Sequence, residues 1–289
     1  MTNAPSQMDQ VLAAANAARP AGSVRRIGSG AARPLDALWR TAQELYALLT
    51  DLNAEEWAQP TKTEYGDVRD VVAHLIGIER YSAYAVTHRD DADPAMEHRH
   101  TEIGRADIER FRSRPSSRAG DVADEWFDAV AETVAAFQSD DDGRPIQVHG
   151  LRASVDLALV FRTFELWAHT EDICAAVRRP LPRLDGPRMG LLASTLVGVL
   201  PLFFSEPNPE FTGHRARIVL LGPGGGVVDL DLDPSVSPTT PSVRMVADVV
   251  DFCRVAARRL PVDELALTAT GELALLTPVL VAAAAFAMD

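Results

Sequence analysis

From Pro34 to about residue 204, apolar residues return at intervals of three and four, and beyond that the interval falls to two. This change of period constrains the fold more than any single residue does. A chain that reads as helices first and strands afterwards is neither all-β nor a regular alternation of strand and helix; it reads as α+β. Pro34 suits the first position of a helix, and Leu35, Leu38, Trp39, Ala42, Leu45, Tyr46 and Leu49 follow on one face. After a break around Pro60, Asp67 opens a second stripe of Val68, Val71, Val72, Leu75 and Ile78. Residues 89–118 are charged and carry Pro94, Gly104 and Pro115, which predicts a loop with one short helix near Ala106–Phe111. Further helices are predicted over Val122–Gln138, Leu151–Val177 and Gly186–Phe204. Amphipathic helices with polar connections predict an up-and-down four-helix bundle.

Pro201, Pro207 and Pro209 mark a linker. Arg215–Leu221 and Val227–Leu232 then alternate around Gly222–Gly226, the pattern of a β-hairpin. A helix over Val243–Leu260, a strand over Leu265–Thr270 and an apolar helix after Gly271 complete the pattern. The expected organisation is a flexible leader over 1–33, the bundle over 34–205 and a small α+β domain over 211–289. Several classes are excluded. A net charge of −13 and a pI near 5.0 argue against nucleic-acid binding, which needs clustered positive charge. Two cysteines, Cys174 and Cys253, supply neither a disulfide framework nor a thiolate zinc site. The most apolar segment, Leu273–Met288, is broken by Thr277 and Pro278 and falls short of the roughly 20 residues of a membrane-spanning helix. No membrane association is expected. Residues 1–33 show no continuous apolar stretch of the export-signal kind, and the expected location is cytoplasmic.

One constellation carries chemistry. Glu165 and His169 are four apart on the long helix, hence on one face, which also presents Leu157, Phe161 and Phe164 to the core. A carboxylate and an imidazole facing inward need partners, because an unpaired buried charge is costly. Either a mutual hydrogen bond or a divalent metal meets that need. A second inward histidine, His74, lies in the stripe of the second helix, and two His with one Glu form a donor set of catalytic zinc. Spacing alone does not bring His74 to Glu165. Arg162, three residues before Glu165, is placed to steady that carboxylate or a substrate's carboxylate, and Asp172 to orient a ligand. Gly222–Gly226 lacks the Lys-Ser/Thr and the helix start of a phosphate loop and reads as a turn.

Asp67-Val-Arg-Asp-Val-Val-Ala-His74-Leu in the second helix and Arg162-Thr-Phe-Glu165-Leu-Trp-Ala-His169-Thr-Glu-Asp172-Ile in the long helix resemble the motifs of the mycothiol-dependent maleylpyruvate isomerase family. Leu52-Asn-Ala-Glu-Glu-Trp57 and Pro60 fit that family's first loop. The resemblance extends over about 34–289 and implies a DinB-like bundle followed by a sterol-carrier-like α+β domain. It implies that His74, Glu165 and His169 hold a metal, usually zinc or else another divalent ion. Two departures stand out. Glu64-Tyr65-Gly66 replaces a Trp-containing motif before the metal-binding helix. Ala257-Arg258-Arg259 keeps the arginine of a Gly-Arg pair and loses its glycine. Arg258 is accordingly the expected catalytic arginine, facing the metal across the inter-domain cleft, and Arg258 with Arg162 the expected cofactor-binding pair.

The expected function is that of a zinc-dependent enzyme that activates mycothiol, or a similar small thiol, for addition to an electrophilic substrate, as isomerase or S-transferase. A carboxylate-bearing substrate fits the arginines. A metal-dependent hydrolase using zinc-bound water and a non-catalytic ligand-binding protein are the alternatives. A monomer or a homodimer is expected.

Overall fold

The computed structural model describes residues 26–89, 100–114, 119–140, 143–148, 151–203, 211–233 and 240–286. Most of the expected leader, and Pro207 and Pro209 of the linker, lie outside these. The chain is α+β.

Helix α1 (Pro34–Thr50) opens on Pro34 as expected, with Asp36 in its first turn paired to Arg33 at 2.7 Å. The short α2 (Ala54–Trp57) is set by a capping box: Asn53 accepts from the Glu55 and Glu56 amides, and Glu56 accepts from the Asn53 amide. A second capping box, Asp67 with Asp70, starts α3 (Val68–Thr87). Helix α4 (His100–Arg112) occupies a segment expected to be mostly loop, and α5 (Ala119–Gln138) follows. Then come β1 (Ile146–Val148), β2 (Leu151–Ala153), α6 (Val155–Val177) and α7 (Gly186–Val199). Leu151–Ala153 was expected to be helical. Instead it pairs antiparallel with β1, and α6 begins only where the Ser154 hydroxyl caps the Leu157 amide. Helix α7 ends as a 3-10 turn over Leu200–Phe203, at Pro201, which supplies no amide donor.

The remainder forms a four-stranded sheet in the order β4-β3-β5-β6, with β3 (Arg215–Leu221), β4 (Gly226–Asp231), β5 (Val243–Asp248) and β6 (Leu267–Gly271). Strand β5 corrects the expected helix start at Val243. Val243, Met245 and Ala247 point inward between exposed or half-buried neighbours, and β5 inserts parallel to β3 with Ile218 opposite Met245. Asp248 then caps α8 (Val249–Ala256). Helix α9 (Leu276–Ala284) closes the described chain. No helix of the described residues is long and apolar enough to cross a membrane.

Two apolar cores result. In the bundle α3 packs on α4 and α5, and α1 packs on α5 and α6, around Leu38, Leu45, Leu75, Trp126 and Leu166. The second core lies under the sheet and joins Ile218, Met245, Phe252 and Val279 to Leu192 and Leu196 of α7. Helix α6 serves both cores. Leu159, Leu166 and Ile173 enter the first; Val160, Phe164 and Trp167 enter the second. A helix walled on two sides has to be apolar nearly all round.

The glycine run is a docking knob. Gly224 has φ +86°, and a Cβ there would lie 2.5 Å from Gly186 O and Gly190 N at the start of α7. Hairpin tip and helix meet backbone to backbone, which holds the sheet against α7. Gly224→Ala should therefore cost about 2 kcal/mol or more in a denaturant titration; an unchanged midpoint would show that the tip does not anchor the sheet.

Candidate metal centre and cleft

Fifteen residues of α3 are buried, so the helix has almost no polar face and His74 is 1% exposed. Helix α6 carries Glu165 and His169 one turn apart toward it. His74 Nε2 lies 3.5 Å from Glu165 Oε1, and one ligating atom from each of His74, Glu165 and His169 lies within 4.8 Å of the others. The two imidazoles meet edge to face, 5.5 Å between centroids. The expected convergence of α3 and α6 is therefore present. Imidazole nitrogen and carboxylate oxygen are the donors that zinc takes outside thiolate sites, and this set fits a divalent ion by type and spacing.

Each donor has its own support. Burial raises the affinity of the Glu165 carboxyl for its proton, but the Arg162 guanidinium and the two histidines outweigh that and hold it well below the usual carboxylate range. Burial lowers the His74 pKa, against the pull of Glu165, which favours the neutral imidazole that a metal requires. His169 Nδ1 lies 3.0 Å from Asp172 Oδ2, so Nδ1–H donates to the carboxylate and the Nε2 lone pair is left as donor. Asp172 is in turn forked by Arg259, at 3.1 and 2.5 Å. His74 is held between two surfaces. The Tyr65 ring stacks on it at 3.9 Å, and Gly104 of α4 packs so closely that a Cβ there would lie 2.5 Å from His74 Nδ1. Tyr65 sits in a tied loop: the Thr61 amide donates to Gly66 O, and Arg112 donates to Tyr65 O while pairing with Asp70.

A cleft of about 570 Å³ separates the bundle from the end of α8. Tyr65, His169 and Asp172 line one side, and Arg254, Arg258 and Arg259 the other. Glu165 borders a second, much smaller hollow beside Arg162 and Phe161. Arg162 is buried and donates to both Glu79 and Glu165, so of its two expected roles the geometry supports steadying the carboxylate. Arg258 lines the cleft, and its Nε donates to Ala284 O at 3.1 Å. Its backbone is left-handed, φ +55°, the conformation in which a glycine is unstrained. Arg259, the next residue, is the arginine that reaches Asp172. Tyr65 and Glu79, which spacing alone does not single out, also contact His74 and Arg162. Both thiols, Cys174 and Cys253, are buried. Burial pushes Cys174 up to about 11 and Cys253 up to about 12.

Residues 38–174 match the model of the mycothiol maleylpyruvate isomerase N-terminal domain. Two uncharacterized proteins of Mycobacterium tuberculosis, from strains CDC 1551 and H37Rv, are each 25% identical to the chain over 246 residues, covering 80% of it and 87% of the relative. The fold is similar to the crystal structure of the mycothiol-dependent maleylpyruvate isomerase, with a TM-score of 0.53 and 15% identity over 83% of this chain and 92% of that one. A histidine-to-alanine mutant of that enzyme gives 0.55 and 14% over the same shares. At these identities the structural likeness establishes the fold.

Gly104→Ala should leave helix α4 intact, since alanine favours helix, and should force the His74 ring aside. The expected result is a near-unchanged circular dichroism spectrum with divalent-metal retention reduced about tenfold or more. Undiminished retention would show that His74 does not need that contact.

Proposed function

We propose, from the match of residues 38–174 to the mycothiol maleylpyruvate isomerase N-terminal domain, that the chain is a mycothiol-dependent enzyme whose metal ligands are His74, Glu165 and His169. The observation that carries the reading is the meeting of these three donors, from α3 and α6, next to a cleft large enough for a small-molecule thiol and its substrate. Zinc is the ion we favour from the donor set.

A divalent ion held there supplies Lewis acidity that favours thiolate over thiol. The protein's own residues do the rest. Arg162 keeps Glu165 ionised and turned toward His74. Asp172 fixes the tautomer of His169. Tyr65 walls the cleft beside His169, 5.8 Å between ring centroids. Arg258, with Lys62 on the opposite loop, pairs with a carboxylate of the electrophile and orients it. Addition of the thiolate to one carbon of an activated alkene turns the double bond into a single bond. Rotation about it and loss of the same thiolate restore the alkene in the other geometry, so the thiol is recovered and nothing is oxidised. With an electrophile that carries a leaving group, the thiolate sulfur would instead form the new C–S bond as the bond to that group breaks, the group departing with the electron pair. No protein nucleophile is required, which agrees with the two buried, raised thiols.

Metal analysis of the purified chain followed by thermal-shift titration with mycothiol tests the reading. Zinc near one equivalent and a rise in Tm with mycothiol, absent with a thiol-blocked analogue, are expected. His169→Ala should lose most of the metal and the mycothiol shift together while the helical signal persists. Full metal content in His169→Ala would overturn the ligand assignment.

A further inference from the structure

Arg162 is 4% exposed and Glu79 is fully buried, yet neither belongs to the ligand set. Arg162 Nη2 donates to Glu79 Oε1 at 2.6 Å, and Nη1 donates to Glu165 Oε2. Glu165 Oε1, the other oxygen, is the one that faces His74 Nε2. The guanidinium therefore stands between two carboxylates and takes one oxygen from each. We propose that Glu79 is a positioning residue for the metal centre: through Arg162 it makes Glu165 a one-oxygen ligand and preserves that carboxylate's attraction for a cation. The proposal rests on the metal reading above.

Stability is a poor explanation for this pair. Burying an arginine and a glutamate costs solvation that their attraction barely repays unless every remaining donor and acceptor is satisfied. Here Glu79 Oε2 and Arg162 Nε are buried with no hydrogen-bond partner among the described residues. Apolar side chains of similar volume would hold α3 and α6 together at least as well. The arrangement does make sense electrostatically. A buried Arg162 facing Glu165 alone would neutralise the carboxylate that a cation needs. With Glu79 on its other side, the guanidinium is shared, and Glu165 keeps much of its negative charge. With Oε2 taken by Arg162, only Oε1 would be left to face a bound ion. The anchoring is deliberate in the fold. Glu79 sits on α3, five residues past His74, and the Thr133 hydroxyl of α5 donates to its backbone carbonyl at 2.9 Å. The helix that presents His74 therefore also presents the counter-charge for Arg162.

The test uses the full chain, with zinc affinity measured by chelator competition and the visible spectrum of the cobalt(II)-loaded protein. Glu79→Gln keeps the shape and removes the charge. It should weaken zinc by about tenfold or more and shift the cobalt bands as Glu165 is drawn toward Arg162. Glu79→Asp, which keeps the charge, should recover a good part of the affinity. A merely structural role would lower Tm in both variants and leave zinc affinity and cobalt spectrum unchanged, and that result would overturn the proposal. Should Glu79→Gln fail to fold, Arg162→Lys carries the test, because one ammonium cannot fork the two carboxylates. An unshifted cobalt spectrum there would equally overturn it. A wild-type chain that binds neither zinc nor cobalt would instead defeat the metal reading itself, so the two failures are distinct.

Discussion

Helix α6 is buried on two sides, and most of the polar groups on those sides find partners within the protein. Its threonines do this locally: Thr163 and Thr170 turn their hydroxyls back to the carbonyls of Leu159 and Leu166. Its charged and imidazole groups combine partners one turn away with partners on other elements. Arg162 reaches across to α3, Glu165 to Arg162 and His74, and His169 to Asp172. The polar residues of α6 thus form a chain of partners from the bundle core to the cleft. The candidate metal site is the place where three of these donors converge. The double wall that makes the helix apolar is also what forces its few polar residues into defined geometry.

Much of this was legible in the sequence. The i,i+4 pair Glu165 and His169, the helical first part and the glycine hairpin all follow from local spacing. The approach of His74 to Glu165 does not; it is a contact between α3 and α6, and only the motif resemblance pointed to it. Val243–Asp248 was mistaken because its alternating residues run directly into the stripe of α8, with no glycine or proline between them. Glu79 escaped notice for a tertiary reason. It follows Ile78 at the edge of the stripe, where an acid is normally solvated. It is buried because its carboxylate turns to Arg162 of α6 while Thr133 of α5 bonds its carbonyl. Both are contacts between helices distant in sequence, which spacing along one helix does not show.

Arg258 and Arg259 show how backbone conformation decides between neighbours. Distance along the chain from α8 does not tell the two arginines apart. The end of α8, however, has Arg259 N bonded to Arg254 O and Arg258 N bonded to Val255 O, a tight closing turn with a left-handed residue at 258. That turn aims consecutive side chains in different directions. One arginine is carried to the carbonyl end of α9, the other across to Asp172. A one-residue difference in register changes which of them can influence His169.

The supports of the three donors divide between the two cores. His74 and Glu165 are held from within the bundle, by Gly104, Tyr65 and Arg162. His169 is held by Asp172, which is fixed by Arg259 from the far side of the cleft, and the adjacent Glu171 is paired to Arg254 in the same way. Each ion pair links consecutive acids of α6 to the end of α8, so the sheet layer grips α6 one turn or less beyond the histidine. Loosening that layer would leave Glu165 and His74 in place and release the Nδ1 partner of His169 from its arginine. The orientation of one donor therefore depends on the closure of the cleft, while the other two do not. In this way the second core, which supplies none of the donors, still governs how completely the site is assembled.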